Sequence, residues 1–316
     1  MLLISIEVYF FYKYKDTQVG GITSPSHYTF YKKYYHYNSL GFRDKERTYG
    51  NNNNAYRILA IGDSYTFGAG VKYKEELYTY ILENRLNESN ILGSRLVEVI
   101  NTGKKGLNTK QEFAYLRNKG ILFSPDMIIL GYVLNDATTD ELKQKMARNN
   151  QEWQLLPPPF GKFLNAYSFT YYFLRKRLKS TFYDKASSVS RKKPYFINLY
   201  SEENTKKHRE IFVEFLKFCE VHGIKVFIVL FPQMYHIRDE VYPYNDEHKY
   251  VETIADEHSV PLVDLLKDLQ NSDFETFTVS STDAHPNEHV HRLAANVIYN
   301  KIVNEKLINS SKSYVR

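Results

Sequence analysis

From residue 57 onward, short apolar runs alternate with stretches whose apolar positions recur at helical spacing. Ile58-Leu59-Ala60-Ile61 reads as a buried strand that runs directly into Gly62. Residues 75–87 follow as a helix, with Leu77, Ile81, Leu82 and Leu86 on one face. A second strand spans 96–100 and ends at Asn101; a helix from about 109 to 118 comes next. Pro125 introduces a third strand, 127–130. After Asn135-Asp136 the rhythm breaks. Residues from about 138 to 203 carry Pro157-Pro158-Pro159 and an aromatic, basic stretch from Phe163 to Lys179, and predict no strand. The alternation resumes with a helix (about 204–222), a strand (225–230), a helix (about 246–258), a strand (261–263) and a last helix (about 287–306). No repeat of fixed period is present.

Alternating short strands and amphipathic helices predict an α/β fold with a parallel sheet covered on both faces. Right-handed crossovers place the loop-bearing strand ends on one edge, and sites in such sheets form outside the carboxyl ends of the strands. Five segments occupy that edge: Gly62-Asp63-Ser64, 101–109, 131–136, Phe231-Pro232, and the stretch from Asp264 onward. Reactive side chains concentrate in the first three.

Composition narrows the class. The chain has 316 residues, 43% hydrophobic, with 28 Tyr and 20 Phe, enough apolar surface to offset chain entropy. Its net charge of +6 is spread among 36 acidic residues, and the densest basic cluster is Arg175-Lys176-Arg177. A nucleic-acid footprint would be gathered on one face, so no nucleic-acid partner is expected. Cys219 is the single cysteine, which excludes an internal disulfide and a thiolate metal cluster; its surroundings, 215–219, read as the apolar face of a helix around a buried thiol.

The first twelve residues are apolar apart from Glu7 and are followed by Lys13 and Lys15. The run is too short to span a bilayer and lacks the basic start and small-residue cleavage site of a secretory signal. Three readings stay open: the tail of an anchor, an aromatic helix at a membrane surface, and burial against the domain. Residues 16–55 read as an irregular aromatic approach closing in Asn51–Asn54. The expected organisation is therefore an N-terminal segment (1–37), one domain (38–308) with an insertion at about 138–203, and a tail (309–316).

Ser64 follows a buried strand and precedes a helix, where its N–H and hydroxyl face the sheet edge beside a positive helix end. It reads equally as a nucleophile or as a helix N-cap. The segment carries neither a phosphate-loop ending nor a Gly-x-Ser-x-Gly elbow. Gly103 reads as a tight strand-to-helix turn. Asn135 reads as a loop cap or as an amide donor to an oxyanion. In Ser281-Thr282-Asp283-Ala284-His285-Pro286-Asn287 a carboxylate precedes a histidine by two residues, and Pro286 can open the last helix. A short loop there lets Asp283 face one ring nitrogen of His285 and leaves the other to take a serine proton. His285, His289 and His291 lie close in sequence, but no acidic or Cys ligand joins them in a zinc pattern, and His291 falls on the core side of the helix. No cofactor or metal is expected.

Taken in order, these four blocks resemble the SGNH hydrolases, also called GDSL esterases and lipases. The matching residues are Ser64 in Gly-Asp-Ser, Gly106 in Asn-x-x-x-x-Gly, Asn135 in Asn-Asp and His285 in Asp-x-His-Pro. The resemblance covers about residues 38–305 and includes the approach 38–44. It implies a flavodoxin-like three-layer α/β/α sandwich. It also implies Ser64 as nucleophile, His285 as general base and acid, and Asp283 orienting His285. The implied oxyanion hole is the N–H of Ser64, the N–H of Gly106 and the Asn135 side chain. Two departures stand out. The family's usual Asp three residues before the His is Thr282 here, and Leu134 replaces the usual Gly before Asn-Asp. The resemblance implies a carboxylic ester hydrolase acting on a small-molecule or glycan ester such as an O-acetyl group. A non-hydrolytic module that binds or transfers acyl groups on polysaccharide is the alternative. An envelope or membrane-associated, extracytoplasmic location is expected, with peripheral membrane contact through the N-terminal segment; the alternative is cytoplasmic.

Overall fold

The computed structural model describes residues 2–18, 24–51, 53–140, 142, 155–157, 159–179, 181, 199–281 and 283–308. Thr282, most of the expected insertion and the 309–316 tail lie outside the described residues.

Strands β1 (Tyr56–Gly62), β2 (Val97–Asn101), β3 (Met127–Tyr132), β4 (Lys225–Leu230) and β5 (Leu262–Asp264) form one sheet in the order β2-β1-β3-β4-β5, every pair parallel. That is the flavodoxin-like order the resemblance implies. Successive side chains alternate between two cores because a strand turns each residue to the opposite face. Ile58, Ala60, Met127, Ile129, Phe227 and Val229 enter one core; Leu59, Ile61, Ile128, Leu130, Ile228 and Leu230 enter the other.

The helices are α1 (Leu2–Tyr14), α2 (Pro25–Tyr34), α3 (Ser64–Phe67), α4 (Tyr78–Glu88), α5 (Thr109–Asn118) and α6 (Phe160–Tyr167). They continue with α7 (Phe169–Leu178), α8 (Glu202–Val221), α9 (Asn245–Glu257), α10 (Leu266–Gln270) and α11 (Glu288–Asn304). Helices α4 and α11 seal the first core with Leu82, Leu86, Ala294 and Ile298. Helices α5, α8 and α9 seal the second with Leu116, Phe212, Phe215, Val251 and Ile254. Three layers result. Cys219 is fully buried on α8, and burial pushes its thiol up to about 12, as befits an inert core residue.

The approach to the sheet is more ordered than its composition suggests. Pro25 opens α2 at the position where its missing N–H costs nothing. Phe30 of that helix packs with Tyr35, Phe67 and Ala69 in a separate small core. Buried Arg47 pairs with Asp44 at 2.9 Å and Glu83 at 2.6 Å, and the Asn101 N–H donates to Asp44 at 3.2 Å. Part of the insertion is helical: α6 and α7 lie in it. Glu7 of α1 accepts the Phe169 and Thr170 N–H groups at 2.8 and 2.9 Å and the Ser168 hydroxyl at 2.8 Å, so it caps α7. Phe10 packs on Phe173 at 4.8 Å between ring centroids. One face of α1 is thus buried against the protein, while Leu3, Ile4, Val8 and Tyr12 are exposed. Among the described residues no helix is long and apolar enough to cross a membrane. A two-stranded antiparallel hairpin, β6 (Thr278–Ser280) and β7 (Asp283–Pro286), precedes α11.

Two core histidines make the fold acid-sensitive. Burial pushes His208 on α8 and His291 on α11 down to about 3, from an ordinary value of 6.5. Both are neutral when folded, and unfolding lets them take up protons below pH 6.5. Their contribution to stability is complete above pH 6.5 and is lost as pH falls toward 3. Melting followed by circular dichroism should show a steady fall in Tm across that window. Replacing His208 by Gln should flatten part of the slope; an unchanged slope would mean that other groups cause it.

Candidate active site

Strand β1 ends at Gly62, and Asp63 caps the short helix α3 by accepting the Tyr65 N–H at 2.8 Å. Ser64 is therefore the first residue inside the helix, and its hydroxyl is not spent on a cap. The N-cap alternative for Ser64 is corrected: Asp63 holds that place. Helix α3 rests directly on the strand ends. A Cβ at Gly62 would lie 2.3 Å from Thr66 Oγ1, one at Gly131 2.2 Å from the same atom, and one at Gly103 2.4 Å from the Phe67 nitrogen. Gly103, expected as a turn residue, is required for this close approach instead. Asn101 fastens the two segments, accepting the Gly103 N–H at 3.0 Å and donating to the Thr66 carbonyl at 2.9 Å. Gly106 differs: its φ is +76° and no atom lies within 4 Å of a Cβ built there, so the left-handed backbone alone calls for glycine.

His285 Nε2 lies 2.9 Å from Ser64 Oγ, and its Nδ1 lies 2.5 Å from Asp283 Oδ1. With Nδ1–H donating to the carboxylate, Nε2 is left to accept the serine proton; the tautomer follows from these partners. The two-residue spacing works because Asp283 and His285 both belong to strand β7 rather than to a loop, which corrects the expectation. Residues two apart on a strand share a face. The His285 N–H also donates to Asp283 Oδ1 at 3.1 Å, tightening the pair. Burial opposes ionisation of Asp283, but hydrogen bonds from His285 and Gln18 outweigh it and hold the carboxyl below its ordinary range. Tyr65 braces the pair, its ring edge-on to His285 at 5.8 Å and its hydroxyl donating to the Ala284 carbonyl at 3.3 Å.

On the other side of Ser64, Asn135 Nδ2 donates to Asp63 Oδ2 at 2.9 Å. Asp63 thereby joins the helix cap, the Ser64 hydroxyl at 3.1 Å and the Asn135 amide in one buried carboxylate. The Ser64 N–H, at the first helical position, has no carbonyl within the helix to bond. Leu134 is fully buried, and the turn around it is closed by the Val133 N–H donating to Asp136 at 2.8 Å. His291 is buried with its Nδ1 accepting the Tyr78 N–H at 3.3 Å, while His289 is exposed. Among the described residues no group of His, Cys, Asp and Glu is arranged to hold a metal ion.

Asp63 is visible in Gly-Asp-Ser, but its bond to Asn135 is not, and two further contributors carry no signal in the sequence. Gln18, 4% exposed, donates to Asp283 Oδ2 at 2.8 Å across 265 residues of chain. Tyr35 donates to Gln18 Oε1 at 3.0 Å and accepts the Gly70 N–H at 2.6 Å. Gln18 stands in the segment between α1 and α2, and only the fold reveals that this segment reaches the Asp283–His285 pair.

Residues 60–293 match the model of the GDSL-like Lipase/Acylhydrolase family. No curated protein matches the sequence. Among solved structures, the chain is similar to a two-domain esterase active on acetylated mannans, at 16% identity and a TM-score of 0.45, covering 83% of this chain and 52% of that one. This chain thus spans about half of that protein. It is also similar to the lipase/acylhydrolase from Enterococcus faecalis, at 15% identity, a TM-score of 0.46 and coverage of 79% and 96%. A third is the psychrotrophic esterase EstA from Pseudoalteromonas sp., at 13% identity, a TM-score of 0.45 and coverage of 80% and 100%.

Three substitutions test this geometry. Gly103→Ala should lift α3 off the sheet edge and cut p-nitrophenyl acetate turnover by about a hundredfold, whereas Gly106→Ala, strained by only about 1–2 kcal/mol, should remain folded and lose less. Equal turnover in the Gly103 variant would refute the close-approach account. Gln18→Leu should lower kcat about tenfold with little change in KM, because it leaves a buried carboxylate oxygen without its donor. The freed charge on Asp283 should also favour the imidazolium and move the acid limb of the pH–rate profile upward; an unmoved limb would limit Gln18 to packing.

Proposed function

This chain belongs to the GDSL-like lipase/acylhydrolase family and is a carboxylic ester hydrolase, and we propose that it works through a Ser64–His285–Asp283 triad. The observation that carries this reading is the continuous chain of contacts, 2.9 Å from Ser64 Oγ to His285 Nε2 and 2.5 Å from His285 Nδ1 to Asp283. In the first step Ser64 Oγ bonds to the carbonyl carbon while its proton passes to His285 Nε2. Asp283 stabilises the imidazolium that forms. The tetrahedral oxyanion is held by the Ser64 N–H, the Gly106 N–H and Asn135 Nδ2, with Asp63 fixing the amide's direction. One such donor is worth about 3–4 kcal/mol in the barrier. The C–O bond to the leaving alcohol then breaks, and the alcohol oxygen takes the proton from His285. Water attacks the acyl-serine with His285 again as base, and the acid departs as Ser64 recovers its proton.

A small acyl group on a glycan, such as O-acetyl, is the substrate class we favour. Its support is the aromatic ledge beside the nucleophile helix, where Tyr37 is 43% exposed and lies 6.3 Å from the Phe67 ring, with Tyr31 next to it. Flat rings of this kind offer apolar faces to the C–H side of a sugar.

A fluorophosphonate ester should label the wild type on Ser64 and leave Ser64→Ala unmodified, read by peptide mass spectrometry. His285→Asn should slow labelling by about a thousandfold or more, and Asp283→Asn by a comparable factor. Folded wild type that resists the reagent would overturn the triad.

A further inference from the structure

Lys105 stands immediately before Gly106, on the loop that follows β2. Its ammonium lies 4.5 Å from the centroid of Tyr31, 4.6 Å from that of Tyr35 and 5.0 Å from that of Phe67. Phe67 is the last residue of the nucleophile helix, and Tyr35 is the hydroxyl that holds Gln18. The cation is thus packed among three rings beside the candidate nucleophile. It forms no hydrogen bond or ion pair with a described residue, so its three donors are unspent.

A second cation sharpens the imbalance. The Arg43 guanidinium packs on the same Tyr35 ring at 4.5 Å, with Nη1 donating to the Gly68 carbonyl and Nη2 to the Val71 carbonyl. Asp283, the carboxylate that acts on Lys105, is spent on His285 and Gln18. Glu75 and Glu76 bear on Arg43, but the carboxylate that bears on Lys105 is already engaged, so this ammonium, partly withdrawn from water, favours an incoming anion. The aromatic face continues outward from Lys105 through Tyr31 to Tyr37, whose ring centroids are 6.4 Å apart.

We propose that Lys105, with the Tyr31 and Tyr37 rings, is a subsite for an anionic sugar, so that the ester cleaved at Ser64 is carried on an acidic glycan. This rests on the glycan-ester reading above and names the charge of the carrier. The sugar ring lies on the tyrosines while its carboxylate or phosphate meets the ammonium. A lysine is a point charge that does not select between those two anions by shape, so the shared chemistry is a negative group on a pyranose. Burial pushes the Lys105 ammonium down to about 8, and Arg43 adds to that shift while Asp283 opposes it. The subsite is charged at neutral pH and discharges in mildly alkaline solution.

Binding tests the idea without turnover. Methyl glucoside, methyl glucuronoside and methyl glucoside 6-phosphate are titrated into the folded Ser64→Ala protein, followed by NMR. Both anions should bind about tenfold tighter than the neutral sugar, and the relative strength of the two identifies carboxylate or phosphate as the better ligand. That preference should shrink at about 0.5 M salt and above about pH 8. Adding Lys105→Met should abolish it, and adding Lys105→Arg should restore it while showing that the fold tolerates change there. Equal affinity for all three sugars, or a preference that survives Lys105→Met, would overturn the proposal. A wild type that binds the anions selectively yet hydrolyses no 3-O-acetyl derivative of them would sink the esterase reading and leave the subsite standing. Equal binding with intact hydrolysis would do the reverse.

Discussion

Helix α3 lies directly on the ends of three strands, and the contact exists only because glycine occupies 62, 131 and 103. Thr66 fills the space that side chains at Gly62 and Gly131 would need, and the Phe67 backbone fills the space at Gly103. A protein interior is packed too tightly to absorb a methyl group at such distances without moving something. Here the thing that would move is Ser64. Every distance in the site is referred to that seat, because Ser64, Asp63 and Tyr65 all take their positions from it.

Asp63 translates the seat into chemistry. A single buried carboxylate caps α3, touches the Ser64 hydroxyl and aims the Asn135 amide, so both groups are set by one residue. On the far side, Asp283 has the matching position, with His285 on one oxygen and Gln18 on the other. A buried charge of this kind is tolerable only when its lone pairs are met by donors. The N-terminal segment supplies the last of them. It can do so because α1 is fastened to the insertion helices through Glu7 and a set of stacked rings, and because α2 inserts Phe30 beside Phe67. The peripheral layer of the molecule therefore reaches His285 through two hydrogen bonds, Gln18 to Asp283 and Asp283 to His285.

The regular part of the fold was legible. Strands at 58–61, 127–130 and 225–230 and the helix at 109–118 appear where apolar spacing places them, since buried strands and amphipathic helices write their periods into the chain. What was not legible is short or tertiary. Helix α10 has five residues and the β6–β7 strands three and four, too few for a period to show. Helix α2 is polar at many positions and is held by the Phe30 cluster rather than by its own pattern. In the site, Gly62-Asp63-Ser64 and Asp-x-His announce themselves because their residue types are unusual at strand ends. Gln18, Tyr35 and Lys105 do not, because nothing local distinguishes them from surface residues.

The sequence alone determined the order of strands and helices, the parallel sheet and the residue types present at its carboxyl edge, because these follow from periodicities that near neighbours set. It left Ser64 between nucleophile and cap, read Gly103 as a turn, and placed Asp283 in a loop. The tertiary structure decided all three: Asp63 takes the cap, Gly103 admits the helix backbone, and β7 turns Asp283 and His285 to one side. The seat of α3 and the contact of His285 with Ser64 depend on which atoms meet across gaps of up to 221 residues. Such meetings are settled by packing and by the need to satisfy buried charge, and neither is recorded in any local run of residues.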